Sequence, residues 1–279
     1  MVYKLLAADM DDTLLNENGE MTPRTQSALH RLVDANVYFV PATGRAFANM
    51  GGVVSMFENS KKDLPFILYN GALVKLHQSK EVLFSAYLDS KDAIEVVKMG
   101  VEKNIPVRIC TDEQMYFATD SDEARAYQKK VNFKVEIIGT RPENNIDVLA
   151  EQGIIKIVWL DDPTRIRGYQ DDISNHFSGR VNAHTSVPKQ MEFVHISASK
   201  AIALEKIGER LGIAKEEMIS VGDGYNDLSM LKYAGYSVAM GNAPDDIKSV
   251  CSHVTLPNTE DGVAVFIDKF FEEGRFNKS

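Results

Sequence analysis

Cysteine is nearly missing from this chain of 279 residues. Only Cys110 and Cys251 occur, far apart and with no Cys-x-x-Cys spacing, so a disulfide framework is excluded and a reducing cytoplasm fits. Positive charge is also short: 31 Lys and Arg stand against 40 Asp and Glu, a formal net charge of −9. That balance argues against a general nucleic-acid or anionic-membrane binder, although a bound metal and one lysine can reverse the field locally for a small phosphate. Long apolar runs are lacking as well. Leu5-Leu6-Ala7-Ala8 is stopped at once by Asp9, too short for the apolar region of a signal peptide, and no other run approaches a membrane span. The six histidines are scattered with no His-Glu-x-x-His, which disfavours a zinc hydrolase, and His184 and His195 read as structural. No Gly-x4-Gly-Lys-Ser/Thr loop and no calcium-loop order is present. These absences lead to the expectation of a cytoplasmic protein, a monomer or weak homodimer, with neither nucleic acid nor membrane as partner.

What is there is an ordinary globular composition, 44% hydrophobic and 25% charged, in a length that suits two domains or one core with a large insertion. The first part alternates strand and helix. Residues 2–8 read as a buried strand. Thr22-Pro23 reads as an N-cap with proline at the first helical position, opening a helix whose apolar face carries Ala28, Leu29, Leu32 and Val33. A strand at 37–40 follows, then a helix at 47–57 weakened by Gly51-Gly52, and a strand at 64–69 with Asn70-Gly71 as a hairpin signal. The middle differs in texture, with short strands near 107–110, 116–119, 154–160 and 179–183 and helices near 90–103, 122–130 and 164–177. That mixture predicts an α+β insertion. From about residue 192 the strand and helix alternation resumes: a helix over 199–211, a strand over 218–221, a helix over 228–233 and a strand over 237–240.

Four segments carry the chemistry. Asp9-Met10-Asp11 places two acids just past a buried strand, at the carboxyl edge where open α/β sheets bind ligands. A turn at Asp11-Asp12 could bring the two carboxylates together around one metal or phosphate. Thr43-Gly44 follows a strand and offers a hydroxyl and a flexible backbone to phosphate oxygens. Lys200 opens a helix, so its ammonium and the helix N-terminus can face one anion. Gly222-Asp223-Gly224-Tyr225-Asn226-Asp227 is acid-rich and directly follows an apolar strand. In this order and context, one acid can attack phosphorus while another handles protons.

Together these segments resemble the haloacid dehalogenase superfamily of phosphohydrolases. Ala42-Thr43-Gly44-Arg45, Asn70-Gly71-Ala72 and Met240-Gly241-Asn242-Ala243 are similar to its Cof-like subgroup, and the insertion is similar to that subgroup's type-two B cap. Two positions depart from the pattern: Asp12 stands where Gly is frequent, and Ala201 follows Lys200 where Gly is usual. The resemblance implies an α/β fold, with a Rossmann-like parallel-sheet core over 1–85 and 188–279 and an inserted α+β cap domain over 86–187. It implies Asp9 as nucleophile and Asp11 as acid and base. Mg²⁺ would be held by Asp9, Asp223 and the Asp11 carbonyl, and phosphate by Thr43, Lys200, Asn226 and the amides of Met10 and Gly44. Asp227 would act from behind, on the metal or on Lys200. Arg45, Asn70, Gln190, Glu192 and Asn242 are candidate substrate contacts. The substrate implied is a small phosphorylated metabolite, either a sugar phosphate or a phosphorylated cofactor. A phosphomutase and a non-catalytic phosphometabolite binder remain as alternatives on the same fold.

Overall fold

A computed structural model describes residues 2–131, 133–138 and 145–276. The chain divides into two compact units, Met1–Phe84 with Ser199–Ser279, and Ser85–Ala198.

The first unit is built on a parallel five-stranded sheet. Its strand order is His253–Val254, Tyr236–Ala239, Met218–Gly222, Leu5–Ala8 and Tyr38–Pro41. Every residue of Leu5–Ala8 is fully buried, as an interior parallel strand covered on both faces must be. On one face Leu5, Ala7, Val40 and Met218 pack with Ala203, Leu204 and Ile207 of the helix Lys200–Leu211. The helices Pro23–Asp34 and Gly262–Glu272 pack on each other. Thr22 caps the first of these, its side chain accepting from Thr25 N at 3.2 Å, with Pro23 at the start as expected. Beyond Tyr38–Pro41, an isolated parallel bridge from Ala42 to Ile67 leads to a second sheet of Pro65–Leu68, Leu73–Leu76 and Val82–Ser85. The expected helix over 47–57 is a tight turn, Phe47–Met50, followed by a helix, Gly51–Met56. The glycine pair lies at that junction.

The second unit carries a six-stranded sheet ordered Val181–Val187, Gln190–His195, Lys156–Leu160, Val107–Cys110, Met115–Phe117 and Val135–Ile137. All pairings are antiparallel except the last. The helices Ser90–Glu102, Ile146–Gln152 and Pro163–His176 cover one face, and their apolar side chains close over Ile157, Trp159, Met191 and Phe193. The boundary expected at residue 188 is corrected by this sheet. Gln190–His195 pairs with both Val181–Val187 and Lys156–Leu160, so the return to the first unit comes only at Ser199. Among the described residues no helix is long and apolar enough to cross a membrane.

Lys156 and Glu192 form an ion pair at 2.6 Å on this sheet, with both side chains buried. Burial makes that pair costly to break and cheap to replace as a whole. Glu192→Ala should therefore cost about 3–5 kcal/mol of stability. The joint change Lys156→Met with Glu192→Leu should recover most of that loss in urea denaturation. An equal loss in the single and double variants would show that the pair itself, rather than the charge stranded by breaking it, carries the stability.

Candidate active site

Asp9 is the first residue past the interior strand Leu5–Ala8, and its amide still donates to Val221 O at 3.0 Å. It is buried, and its carboxylate Oδ1 accepts from Lys200 Nζ at 2.5 Å. Lys200 is the first residue of its helix, with Ser199 as cap, and its ammonium is fully buried. The same ammonium reaches Asp227 Oδ1 at 2.6 Å. Asp227 is itself fully buried, and its Oδ2 accepts from the amides of Asp223 at 3.1 Å and Gly224 at 2.9 Å. One carboxylate thus fixes both the lysine and the loop that follows the strand Met218–Gly222. Asp223 emerges from that loop, and its Oδ1 accepts from Thr13 Oγ1 at 2.6 Å.

The first motif turns sharply. Asp11 is extended (φ −72°, ψ 132°) and Asp12 is left-handed (φ 57°, ψ 8°), the conformation that glycine would adopt with least strain. The turn leaves Asp9 and Asp11 with different partners. Asp9 points into the buried cluster, while the Asp11 side chain is 56% exposed and ion-paired with Arg45. Arg45 Nε donates to Asp11 Oδ2 at 3.1 Å, and its Nη2 to Oδ1. Thr43 is fully buried. Its Oγ1 accepts from Arg45 N at 3.1 Å, and its amide donates to Ile67 O at 2.9 Å. Met10 is buried between the two acids. A cleft of about 790 Å³ in this unit reaches the motif at Met10 and Arg45.

Several candidate contacts have other work. Asn242 Nδ2 donates to Asp12 O at 2.9 Å, and its Oδ1 accepts from Asn258 N at 3.1 Å. One end of that carboxamide supports the backbone of the Asp12 turn, and the other ties it to the backbone at Asn258. Gln190 and Glu192 lie on the second unit's sheet, where Gln190 Oε1 is 3.5 Å from Arg108 Nη2 and Glu192 is paired with Lys156. Asn226 is exposed, with its Nδ2 3.5 Å from Asn70 Oδ1. Thr13 is a residue that sequence reasoning gave no role. Its signal was its place in the first motif, four residues after Asp9.

Asp9, Asp223 and Asp227 each offer an oxygen within 4.8 Å of the others, a set that could hold a metal ion. Asp227 already spends both oxygens on Lys200 and the two amides. Asp9 and Asp223 each use one oxygen in a hydrogen bond and leave the other clear. All these donors are hard oxygens, and three carboxylates against one ammonium leave excess negative charge, so a hard divalent cation suits them. Burial raises the carboxyls of Asp9 and Asp223. In Asp9 it acts against the Lys200 cation, and Asp223 is pushed up to about 6. Burial pulls Lys200 down, but the carboxylates of Asp227 and Asp9 outweigh it and hold its pKa above that of an ordinary lysine.

An acid raised from 3.8 unfolded to about 6 folded holds its proton longer in the native state, so it lowers stability as pH climbs between those values. Asp223→Asn keeps an acceptor for Thr13 and removes that titration. Without divalent cations, its melting-temperature advantage over wild type should be absent near pH 4 and complete above pH 6. A difference independent of pH would show that Asp223 is not held up by its surroundings.

The description "haloacid dehalogenase-like hydrolase" belongs to the family model that matches residues 6–267. Bacillus subtilis 5-amino-6-(5-phospho-D-ribitylamino)uracil phosphatase YwtE is 28% identical over 95% of this chain and 97% of its own. The crystal structure of a haloacid dehalogenase-like hydrolase from Bacteroides thetaiotaomicron superposes with a TM-score of 0.85 at 27% identity, covering 96% of this chain and 100% of that one. The HAD subclass IIB sugar phosphatase BT4131 shares the fold, with a TM-score of 0.77 at 22% identity over 96% of this chain and 99% of its own. A match over nearly the whole length, with the motif residues gathered at one sheet edge, makes this chain an enzyme of the haloacid dehalogenase-like hydrolase family.

Proposed function

We propose that this enzyme hydrolyses small phosphomonoesters through a phosphorylated Asp9. The observation that carries the reading is the Lys200 bridge. It fixes one oxygen of a buried Asp9 and leaves the other clear beside Asp223. Asp9 attacks phosphorus with that free oxygen, and the bond from phosphorus to the ester oxygen breaks. Asp11 gives its proton to the departing alkoxide. In the second half it takes a proton from water, whose oxygen attacks phosphorus and frees Asp9 and inorganic phosphate. Arg45 engages both Asp11 oxygens, so that ion pair opens before Asp11 reaches the ester oxygen. Exposure of the pair keeps that opening inexpensive.

Thr43, Lys200, Asn226 and the amides of Met10 and Gly44 are the donors assigned to the phosphate oxygens. Mg²⁺ is the cation this reading requires, held by Asp9, Asp223 and the Asp11 carbonyl, and its charge offsets repulsion between a phosphate dianion and the carboxylates. Asp227 supports the site through Lys200 and the loop amides. The substrate class is a sugar phosphate or a phosphorylated cofactor or precursor, in keeping with the phosphorylated ribityl compound named for YwtE. A reducing cytoplasm suits the free thiols of Cys110 and Cys251.

The two leading aspartates separate in a stopped-flow experiment. Asp9→Asn should lose turnover with every phosphomonoester and trap no phosphate on the protein. Asp11→Asn should scarcely react with sugar phosphates, because an alkoxide leaves poorly without a proton, a loss of about a hundred- to ten-thousand-fold. With p-nitrophenyl phosphate it should release about one equivalent of nitrophenol in a burst and leave acid-stable phosphate on Asp9. Proportionate slowing on both substrates, with nothing trapped, would remove Asp11 from proton transfer. Wild-type activity should vanish in excess EDTA and return with Mg²⁺. Full activity in EDTA would overturn the metal assignment.

A further inference from the structure

Three successive residues, Tyr69, Asn70 and Gly71, have positive φ of 51°, 57° and 96°. The last two are ordinary for an Asn-Gly hairpin turn, which needs that conformation at both positions. Tyr69 is not part of that requirement. It is bulky and buried, and a left-handed backbone there is a true outlier. Its conformation ends the ladder one pair early, at Leu68 opposite Leu73, and turns the loop toward the second motif. Two main-chain bonds hold it there. Tyr69 N donates to Arg45 O at 3.1 Å, and Asn70 N donates to Thr43 O at 2.9 Å. On the other side Gly71 lies so close to the start of the Lys200 helix that a Cβ would fall 2.2 Å from the Ser199 carbonyl.

The result is a carboxamide wedged between two segments. A Cβ on Gly44 would sit 3.2 Å from both Nδ2 and Oδ1 of Asn70, so the amide lies against that backbone. Asn70 Oδ1 is also the partner of Asn226 Nδ2, at 3.5 Å. Strain of this kind persists where the surroundings over-determine it, and it gathers at working sites.

From this we infer that Asn70 is a positioning residue, whose carboxamide sets Gly44 and Asn226 for the transferring phosphoryl group, and that the left-handed Tyr69 exists to aim it. The inference rests on the reading of Gly44 and Asn226 as phosphate ligands. A misplaced binding group far from the reacting bond can cost about a hundredfold in rate.

Asn70→Gly tests it, because glycine suits the turn and removes only the carboxamide. The variant should melt within about 2–4 °C of wild type, the shift of a change near 1 kcal/mol. Its kcat/KM on p-nitrophenyl phosphate should fall about tenfold to a hundredfold, with inorganic phosphate inhibiting more weakly by a similar factor. Asn226→Ala should lose a comparable amount, and the double variant should be no worse than the poorer single one. Wild-type kcat/KM in Asn70→Gly would reduce Asn70 to a turn residue and overturn the inference. So would a parallel fall in melting temperature and activity, or losses that multiply in the double variant. A wild-type enzyme inactive on every phosphomonoester would instead overturn the phosphatase reading on which the inference stands.

Discussion

A single buried ammonium governs the arrangement of the site. Lys200 Nζ lies 2.5 Å from Asp9 and 2.6 Å from Asp227, and these partners are 191 and 27 residues away along the chain. A charge taken out of water is costly unless paired and hydrogen-bonded, so the end of the first strand, the start of a helix and the loop after another strand must meet at one point. Asp227 extends the constraint, because its second oxygen fixes the amides of Asp223 and Gly224. The direction in which Asp223 leaves its strand is therefore set by the same lysine. On the proposed mechanism phosphate ligand and scaffold are one group, which makes the contribution of Lys200 to catalysis inseparable from its contribution to folding.

Around that fixed point the structure accepts local disadvantages. Asp12 takes a left-handed turn that a glycine would take more easily, and Asn242 and Thr13 hold its surroundings through the Asp12 carbonyl and Asp223. Asp9 and Asp223 are buried acids whose carboxyls are pushed up, a state less stable than a neutral core of the same size. Tyr69 adds backbone strain. Departures from local preference concentrated beside one cluster of acids are what a site tuned for chemistry shows, since the rest of the fold must offset them.

Much of this was legible in the sequence because local signals and burial agree. Leu5–Ala8 is apolar throughout, so it reads as a strand buried on both sides, and Thr22-Pro23 marks a helix start whatever it packs against. The motif acids declare themselves by standing directly after such strands. The second boundary was not legible. Met191, Phe193 and their neighbours alternate as any strand would, and only pairing with Lys156–Leu160 shows which sheet they join. Nor could the sequence show that Arg45 would close on Asp11, or that Asn242 would serve the Asp12 turn. Those are contacts between residues 34 and 230 positions apart, and turn chemistry at either end does not specify them.

The two acids of the first motif illustrate how one short segment can supply unlike groups. They are two residues apart, yet the turn leaves Asp9 buried on a lysine and Asp11 largely exposed on an arginine. A nucleophile benefits from the first setting: a fixed oxygen, a dry surrounding and a neighbouring cation that steadies its charge. A proton carrier benefits from the second, because it must exchange with solvent and move between a leaving group and a water. Had the chain continued as a strand, side chains two residues apart would have shared one face of the sheet and one environment. The turn that follows the strand instead gives them opposite environments, and on the proposed mechanism that difference, rather than residue type, assigns their roles.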